Sequence, residues 1–180
     1  MQRQSKFDDL EMLKQKAEIS RAGLRQMQEH ELQMQDKELQ KIYDVCVNTL
    51  KLCMHDHYED CPWREQAMYV MDSRNQMLCG YYAFNEYDFP RACLKLMAED
   101  NRPDGMLSIT YPGASGLVIP SFGLHFFTAV REYGDYSGDW EFVKEIFPKL
   151  ESVLDVYIDH YSKDEKALKT FGESCYWNFY

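Results

Sequence analysis

Large apolar side chains recur at three- and four-residue intervals through most of the sequence after residue 37, and this spacing restricts the fold more than any other feature. The first such stripe consists of Leu39, Ile42, Tyr43, Cys46, Leu50 and Cys53. It predicts an amphipathic helix over about residues 38–54. Similar stripes follow, so we expect an almost all-helical chain whose neighbouring helices pack as antiparallel pairs.

Proline residues mark where the next two helices are expected to begin. Pro62 suits the first turn of a helix, because its missing N–H would have no partner there. That helix is predicted to run to about Phe84. Pro90 indicates in the same way a third helix that starts after Asp88.

A long loop separates these helices from two more. Residues 104–122 are rich in Gly and Pro and are too many for a tight turn between helices. Further helices are predicted over about residues 121–133 and 139–161, the second with Asp139 as its cap. Pro148 is expected to kink the last helix or to divide it in two.

The sequence changes character near residue 37, which predicts two regions. Residues 1–37 are Gln-rich and polar, with apolar residues at roughly helical intervals, and they are interpreted as a solvated leader helix. A coiled-coil or partner-binding segment is less favoured, because heptads are not sustained. Residues 38–180 form the main helical domain.

Charge and composition exclude several classes of function. The formal net charge is −10, and residues 1–37 hold equal numbers of acidic and basic side chains, so the excess negative charge lies in the main domain. A nucleic-acid partner would need clustered Lys and Arg. No apolar run approaches the roughly 20 residues of a membrane helix. The N-terminus has no apolar signal region, so a cytoplasmic location is the default expectation.

Cysteine and histidine spacing gives no metal site. The six cysteines show neither C-x-x-C nor zinc-type pairing, and their mostly apolar neighbours predict buried thiols. The run His55-Asp56-His57 has suitable donor atoms, but no third ligand follows at a convincing spacing. We therefore predict no metal and no cofactor.

The stretch EDCPWREQAMYVMD, residues 59–72, gathers carboxylates beside a Cys-Pro dipeptide. In a helix that begins at Pro62, Glu65 and Asp72 would face the same side, roughly 10 Å apart along the axis. Asp60 would precede the first turn. The residues that follow are apolar around most of the helix, so these carboxylates are expected either to pair with cations or to line a polar cavity.

Two interpretations of these carboxylates stay open on the residues alone. In the structural one, Asp60 caps the helix, Glu65 offsets its dipole and Asp72 pairs with Arg74 or Arg131. In the functional one, a carboxylic acid in an apolar pocket acts as a general acid while its neighbours hold hydroxyl groups. Trp63 could then stack on a sugar ring.

Residues 60–65, DCPWRE, with Asp72 seven positions on, resemble the active-site signature of glycoside hydrolase family 78, the bacterial α-L-rhamnosidases. The segments LQKIYDVCVNTLKLC and EYGDYSGDWEFVKEIFPKL are similar to that family as well. The resemblance covers residues 38–180. It implies an (α/α)6 toroid of six helical hairpins, of which this chain would be the N-terminal portion.

The resemblance also implies a role for each residue of the signature. Glu65 would be the general acid, and Asp60 and Asp72 would hydrogen-bond the hydroxyls of rhamnose. Arg64 would offset part of their negative charge, and Trp63 would line the sugar site. Hydrolysis would proceed with inversion, which requires a second carboxylate roughly 6.5–9.5 Å from the acid to activate water.

The general base of the family lies well downstream of the signature, so the resemblance implies a fragment that is inactive by itself. Glu132, Asp135 and Glu173 are poor substitutes for that base. An incomplete toroid would expose apolar helix faces and self-associate through them. The expected ligand is a rhamnose-containing oligosaccharide or glycoside. The alternative is a non-catalytic helical module that binds a sugar or a protein.

Overall fold

The structure is a computed structural model that describes residues 36–113, 116–169 and 171. Regular structure in these ranges consists of helices α1 (Lys37–Leu52), α2 (Val70–Phe84), α3 (Asp88–Ala98), α4 (Pro120–Ser137) and α5 (Trp140–Asp159), followed by strands β1 (Tyr161–Ser162) and β2 (Ala167–Leu168). The two short strands pair antiparallel. The mostly helical fold is thus confirmed. All but the last two residues of the predicted leader, 1–37, lie outside the described ranges.

Helices α2 and α4 lie side by side and run in the same direction. At one end, the ring of Tyr69, just before α2, meets Phe122 in the first turn of α4, with 6.4 Å between ring centroids. At the other end, Tyr82 and Tyr136 meet with centroids 5.5 Å apart. The two ends are separated by roughly 20 Å of helix. Both N-termini therefore face the end where the candidate site lies.

Helices α3 and α5 form a second parallel pair that returns along the first. Arg91 Nε donates to Asp139 Oδ2 at 3.1 Å, and one turn further on Lys95 Nζ donates to Glu145 Oε1 at 2.9 Å. Only residues 85–87 connect α2 to α3, and 138–139 connect α4 to α5. Such short links make each successive pair a helical hairpin.

The core lies among α2, α3, α4 and α5, and α1 contributes no buried residue to it. Leu94, Phe126 and Val153 are completely enclosed. By contrast, Ile42 and Val45 on α1 are 60% and 64% exposed. The apolar stripe predicted for this helix is present, but the described part of the chain leaves half of its members exposed, namely Leu39, Ile42 and Cys46. None of the helices in these ranges combines the length and apolar character of a membrane span.

The two C-terminal helices differ from prediction in their boundaries. Helix α4 continues to Ser137 and ends where Gly138 adopts a φ of 74°, about a turn later than expected. The predicted cap of α5 is confirmed, because Asp139 accepts a hydrogen bond from Phe142 N–H at 3.1 Å. Of the two effects predicted for Pro148, division of the helix is wrong, since α5 is continuous there, and the kink stays a prediction. Buried side chains on both sides of this proline hold the helix against the core.

The prediction that the cysteines are buried holds only in part. Cys53 and Cys93 are buried, and burial raises the pKa of the Cys93 thiol to about 12. Cys46 and Cys79 are exposed, which contradicts the prediction. The first lies on α1, and the second points away from the core between the inward turns of α2. Cys175 lies outside the described residues.

Candidate active site

Residues 60–67 form a loop. Two hydrogen bonds between Asp60 and Ala67 close this loop. The Asp60 N–H donates to the Ala67 carbonyl at 3.0 Å, and the Ala67 N–H donates to Asp60 Oδ1 at 3.0 Å. A short aspartate side chain often makes such bonds to nearby backbone groups outside helices. Asp60 is therefore a fixed part of the loop and does not cap α2.

The predicted helix start at Pro62 is wrong. Residues 62–65 make one turn, but Gln66 then has a φ of 50°, the left-handed region in which a right-handed helix cannot continue. Helix α2 begins only at Val70. Glu65 and Asp72 consequently do not share a helix face, and their expected separation along one axis does not apply.

The turn presents three consecutive side chains of the signature to solvent. Trp63 is 91% exposed, and Arg64 and Glu65 are exposed as well. The Glu65 N–H donates to Cys61 Sγ at 3.4 Å, which ties the turn to the start of the loop. The apolar pocket predicted around Glu65 is not formed by the described residues. Within these ranges Arg64 also makes no ion pair with the three carboxylates, so its role in offsetting their charge stays a prediction.

Tyr69 brings the carboxylates into one electrostatic cluster. Its hydroxyl donates to Glu65 Oε2 at 2.5 Å. This hydrogen bond, then burial, then the charges of Glu65, Asp60 and Asp72 raise the pKa of Tyr69 to about 12. Since all three charges act on one phenol, the carboxylates lie near each other at the N-terminal end of α2.

Asp72, in the first turn of α2, is a partly buried member of the cluster. Burial raises the pKa of its carboxyl, a backbone hydrogen bond opposes this shift, and the charges of Asp60 and Glu65 add to it. A carboxylate that gains a cation partner normally shows the opposite shift. Asp72 is therefore held in an acidic environment without a compensating ion pair among the described residues.

The cations that the structural interpretation assigned to Asp72 have other partners. Arg74 Nε donates to Glu132 Oε2 at 2.8 Å, and Arg74 Nη2 donates to Glu132 Oε1. Arg131 Nε donates to Asp135 Oδ2 at 2.9 Å. The expected pairing with Asp72 is thus wrong. Glu132 and Asp135 also have structural partners of their own.

A fourth acidic residue of the stretch, Glu59, was missed by the sequence reasoning. It is 6% exposed, its Oε1 lies 2.9 Å from His55 Nδ1, and its carbonyl accepts from Gln76 Nε2 at 2.6 Å. The four-residue spacing from His55 was the available signal. His57 Nδ1 bonds to the Tyr58 carbonyl instead. No group of three metal-ligating side chains occurs in the described ranges.

The sequence matches a known family over most of its length. The family model for the bacterial alpha-L-rhamnosidase 6 hairpin glycosidase domain matches residues 27–175. The chain belongs to this family. No curated protein matches it significantly.

Two solved rhamnosidase structures resemble the chain. One is the family 78 rhamnosidase of Bacillus sp. GL1, with 31% sequence identity over 73% of this chain and a TM-score of 0.69. The other is a rhamnosidase from Klebsiella oxytoca with rhamnose bound, with 27% identity over 72% of the chain and a TM-score of 0.67. This chain spans only 14% and 26% of their respective lengths.

Within the rhamnosidase domain, the signature residues occupy the connection that leads into α2. Asp60 and Ala67 close the loop, Trp63 and Glu65 project from it, and Tyr69 joins it to the helix pair. Sequence reasoning found the carboxylates but missed Tyr69. Its spacing of four from Glu65 suggests contact only in a helix, whereas here the closed loop brings the two side chains together.

Proposed function

We propose that this chain carries the acid half of an inverting α-L-rhamnosidase active site, with Glu65 as the general acid. The observation that carries this proposal is the cluster of Asp60, Glu65 and Asp72 around the hydroxyl of Tyr69. Membership of the rhamnosidase domain family supports it. So does the likeness to a Klebsiella oxytoca rhamnosidase with rhamnose bound.

In the proposed chemistry, one carboxyl group of the cluster donates a proton and the other two bind sugar hydroxyls. Glu65 donates its proton to the glycosidic oxygen as the bond from that oxygen to the anomeric carbon breaks. Asp60 and Asp72 accept hydrogen bonds from sugar hydroxyls and hold the ring. Trp63 offers an exposed aromatic face on which the sugar can pack. Arg64 offsets part of the negative charge.

Inversion requires water to attack the anomeric carbon from the face opposite Glu65. A second carboxylate takes the proton of that water, and in inverting enzymes it lies roughly 6.5–9.5 Å from the acid. We assign this role to no described residue, because Glu132 and Asp135 are held by Arg74 and Arg131.

The test compares two leaving groups in the polypeptide encoded by the complete reading frame. Glu65→Gln is expected to lower kcat on an alkyl α-L-rhamnoside by about 10²–10⁴-fold, because an alkoxide leaves only with a proton. The loss on 4-nitrophenyl α-L-rhamnoside should be much smaller, since nitrophenolate leaves without one. Glu151→Gln, on an exposed position of α5, is the matched control.

Equal losses on the two substrates would contradict the assignment of Glu65 as the acid. The first-formed anomer, observed by NMR during turnover, tests the stereochemistry separately. β-L-Rhamnose is expected. Release of the α anomer would show retention and remove the requirement for a distant base.

A sugar-binding module without catalysis is the second candidate, and the exposure of Trp63 and Glu65 favours it. The 180-residue chain should then bind rhamnose with a change in the fluorescence of Trp63. Asp60→Asn and Asp72→Asn should weaken that binding, whereas no polypeptide from the reading frame should hydrolyse either rhamnoside.

A further inference from the structure

Tyr69 is held in place from three sides. Its N–H donates to the Ala67 carbonyl at 3.1 Å, which joins it to the signature loop. Its backbone pairs with Thr110 in an isolated antiparallel bridge, which joins it to the long loop before α4. Its ring meets Phe122 edge to face. A residue fixed by backbone and ring in this way can direct its hydroxyl.

Glu65 is in the opposite situation. Its backbone lies in an exposed turn, and its side chain has several rotatable bonds. An exposed glutamate normally samples many rotamers, and ordering it has an entropic cost. The hydroxyl of Tyr69, 2.5 Å from Oε2, is the contact that orients this carboxyl group.

We propose that Tyr69 is a positioning residue for Glu65. The Tyr69 hydroxyl donates to Glu65 Oε2 and so leaves Glu65 Oε1 as the oxygen that carries and delivers the proton. This inference rests on the proposed role of Glu65 as general acid. When Glu65 is protonated, Oε2 keeps the carbonyl character that accepts from Tyr69. The transferable hydrogen is then on Oε1, and Tyr69 keeps its own proton throughout.

The same hydrogen bond favours the transition state. As the proton leaves Oε1 for the glycosidic oxygen, negative charge develops on the carboxyl group. A hydrogen bond to a carboxylate is roughly twice as strong as one to a neutral group. Tyr69 therefore stabilises the state after proton transfer more than the state before it, which is the kind of interaction that raises kcat.

The raised pKa of Tyr69, about 12, suits a donor that does not ionise while Glu65 works. It also allows a test that needs no turnover. In the 180-residue chain with Cζ-labelled tyrosine, the Tyr69 resonance is identified by its absence from Tyr69→Phe. We expect it to stay protonated past pH of about 11 and to ionise nearer the ordinary value of about 10 in Glu65→Gln. Unchanged ionisation in Glu65→Gln would overturn the contact.

The kinetic test separates positioning from a purely structural role. In the polypeptide encoded by the complete reading frame, Tyr69→Phe is expected to lower kcat on an alkyl α-L-rhamnoside by about 10-fold, with KM changed less than about 3-fold. The loss on the nitrophenyl substrate should be smaller. The pH profile of kcat/KM should also change, because the general acid loses a hydrogen-bond partner.

Tyr82→Phe is the matched control. It removes a tyrosine hydroxyl that is also hydrogen-bonded, from the far end of the same helix. It should leave both kcat and the pH profile unchanged.

The outcomes distinguish this inference from the function on which it rests. If Glu65→Gln loses activity selectively but the pH profile of Tyr69→Phe coincides with that of the unmodified protein, the positioning role is wrong and the acid stands. If Glu65→Gln shows no leaving-group dependence, the proposed function fails first. Equal losses on both substrates in Tyr69→Phe would indicate a structural role alone.

Discussion

The two ends of the α2–α4 pair both carry hydrogen-bonded tyrosine hydroxyls, but the partners differ. At the N-terminal end, Tyr69 donates to a carboxylate, and two further carboxylates lie nearby. At the C-terminal end, Tyr82 and Tyr136 bond to each other, and Tyr81 stacks on Tyr136 with centroids 5.0 Å apart. At the N-terminal end, Asp60, Glu65 and Asp72 gather negative charge without ion pairs among the described residues. At the C-terminal end, two hydroxyls pair with each other, and the buried hydroxyl of Tyr81 has no hydrogen-bond partner among these residues.

The carboxyl groups near the two ends show the same contrast in their pKa shifts. Burial raises the pKa of Asp72 at the N-terminal end. At the C-terminal end, the Phe142 N–H, with Arg91 and Tyr133, lowers the pKa of Asp139. A raised carboxyl pKa lowers stability at neutral pH, and a lowered one increases it. The difference fits the proposed function, in which the N-terminal or acidic end binds a ligand, while the C-terminal or tyrosine end contributes to stability.

Substitution of a glycine near one end of α4 is expected to have the largest effect on the free energy of unfolding. A Cβ at Gly123 would lie 2.7 Å from the hydroxyl of Tyr157, which is buried and donates to the Pro120 carbonyl at 2.6 Å. This hydroxyl cannot move without losing its bond. Gly123→Ala is therefore expected to lower the free energy of unfolding by about 2 kcal/mol, measured by urea denaturation.

Gly134→Ala is the control for that prediction. Its Cβ would lie 2.8 Å from the ring of Trp140, but this side chain is 45% exposed and can turn outward. Alanine also favours a helix by about 1 kcal/mol over glycine. The free energy of unfolding should change by less than about 1 kcal/mol. Equal destabilisation at both glycines would show that the two ends are packed alike.

The sequence predicted most reliably what depends on local spacing. Helix α3 and the Asp139 cap lie where their apolar stripe and cap signal indicate. The start of α2 could not be predicted in this way. It depends on the positive φ of Gln66 and on pairing of Tyr69 with Thr110, which lies far away in sequence. Proline at a first-turn position indicates a helix start only when no such distant contact competes.

The same distinction applies to the candidate site. Family resemblance selected Asp60, Glu65 and Asp72, and it needed no knowledge of the loop geometry. Family resemblance could not predict the contact of Tyr69 with Glu65, because that contact exists only after Asp60 closes the loop on Ala67. The exposed turn that carries Glu65 belongs to the same closed loop.

Loss of the helix cap Asp139, at the tyrosine end, is expected to have an intermediate effect on the free energy of unfolding. Asp139→Ala removes the acceptor of the Phe142 N–H and is expected to lower the free energy of unfolding by about 1 kcal/mol near pH 7. Because the pKa of Asp139 is lowered in the folded state, its contribution is present above the unfolded value of about 3.9 and is lost as pH falls through the folded value. Urea denaturation near pH 7 and in steps down to about pH 2 measures both. A difference that persists in acid would show that the carboxylate charge is unimportant.

The smallest expected effect has the opposite sign and lies at the acidic end. Asp72 has a raised pKa in the folded state, so the unfolded chain releases this proton at lower pH than the folded chain. The penalty is therefore absent below the unfolded value of about 3.9 and grows as pH rises through the folded value. Asp72→Asn should raise the free energy of unfolding by about 0.5 kcal/mol near pH 7 and leave it unchanged near pH 3. Denaturation with the same protocol as for Asp139→Ala compares the two ends directly. Destabilisation by Asp72→Asn at neutral pH would mean that a favourable partner holds this carboxylate. The contrast between the acidic end and the stabilising end would then fail at Asp72.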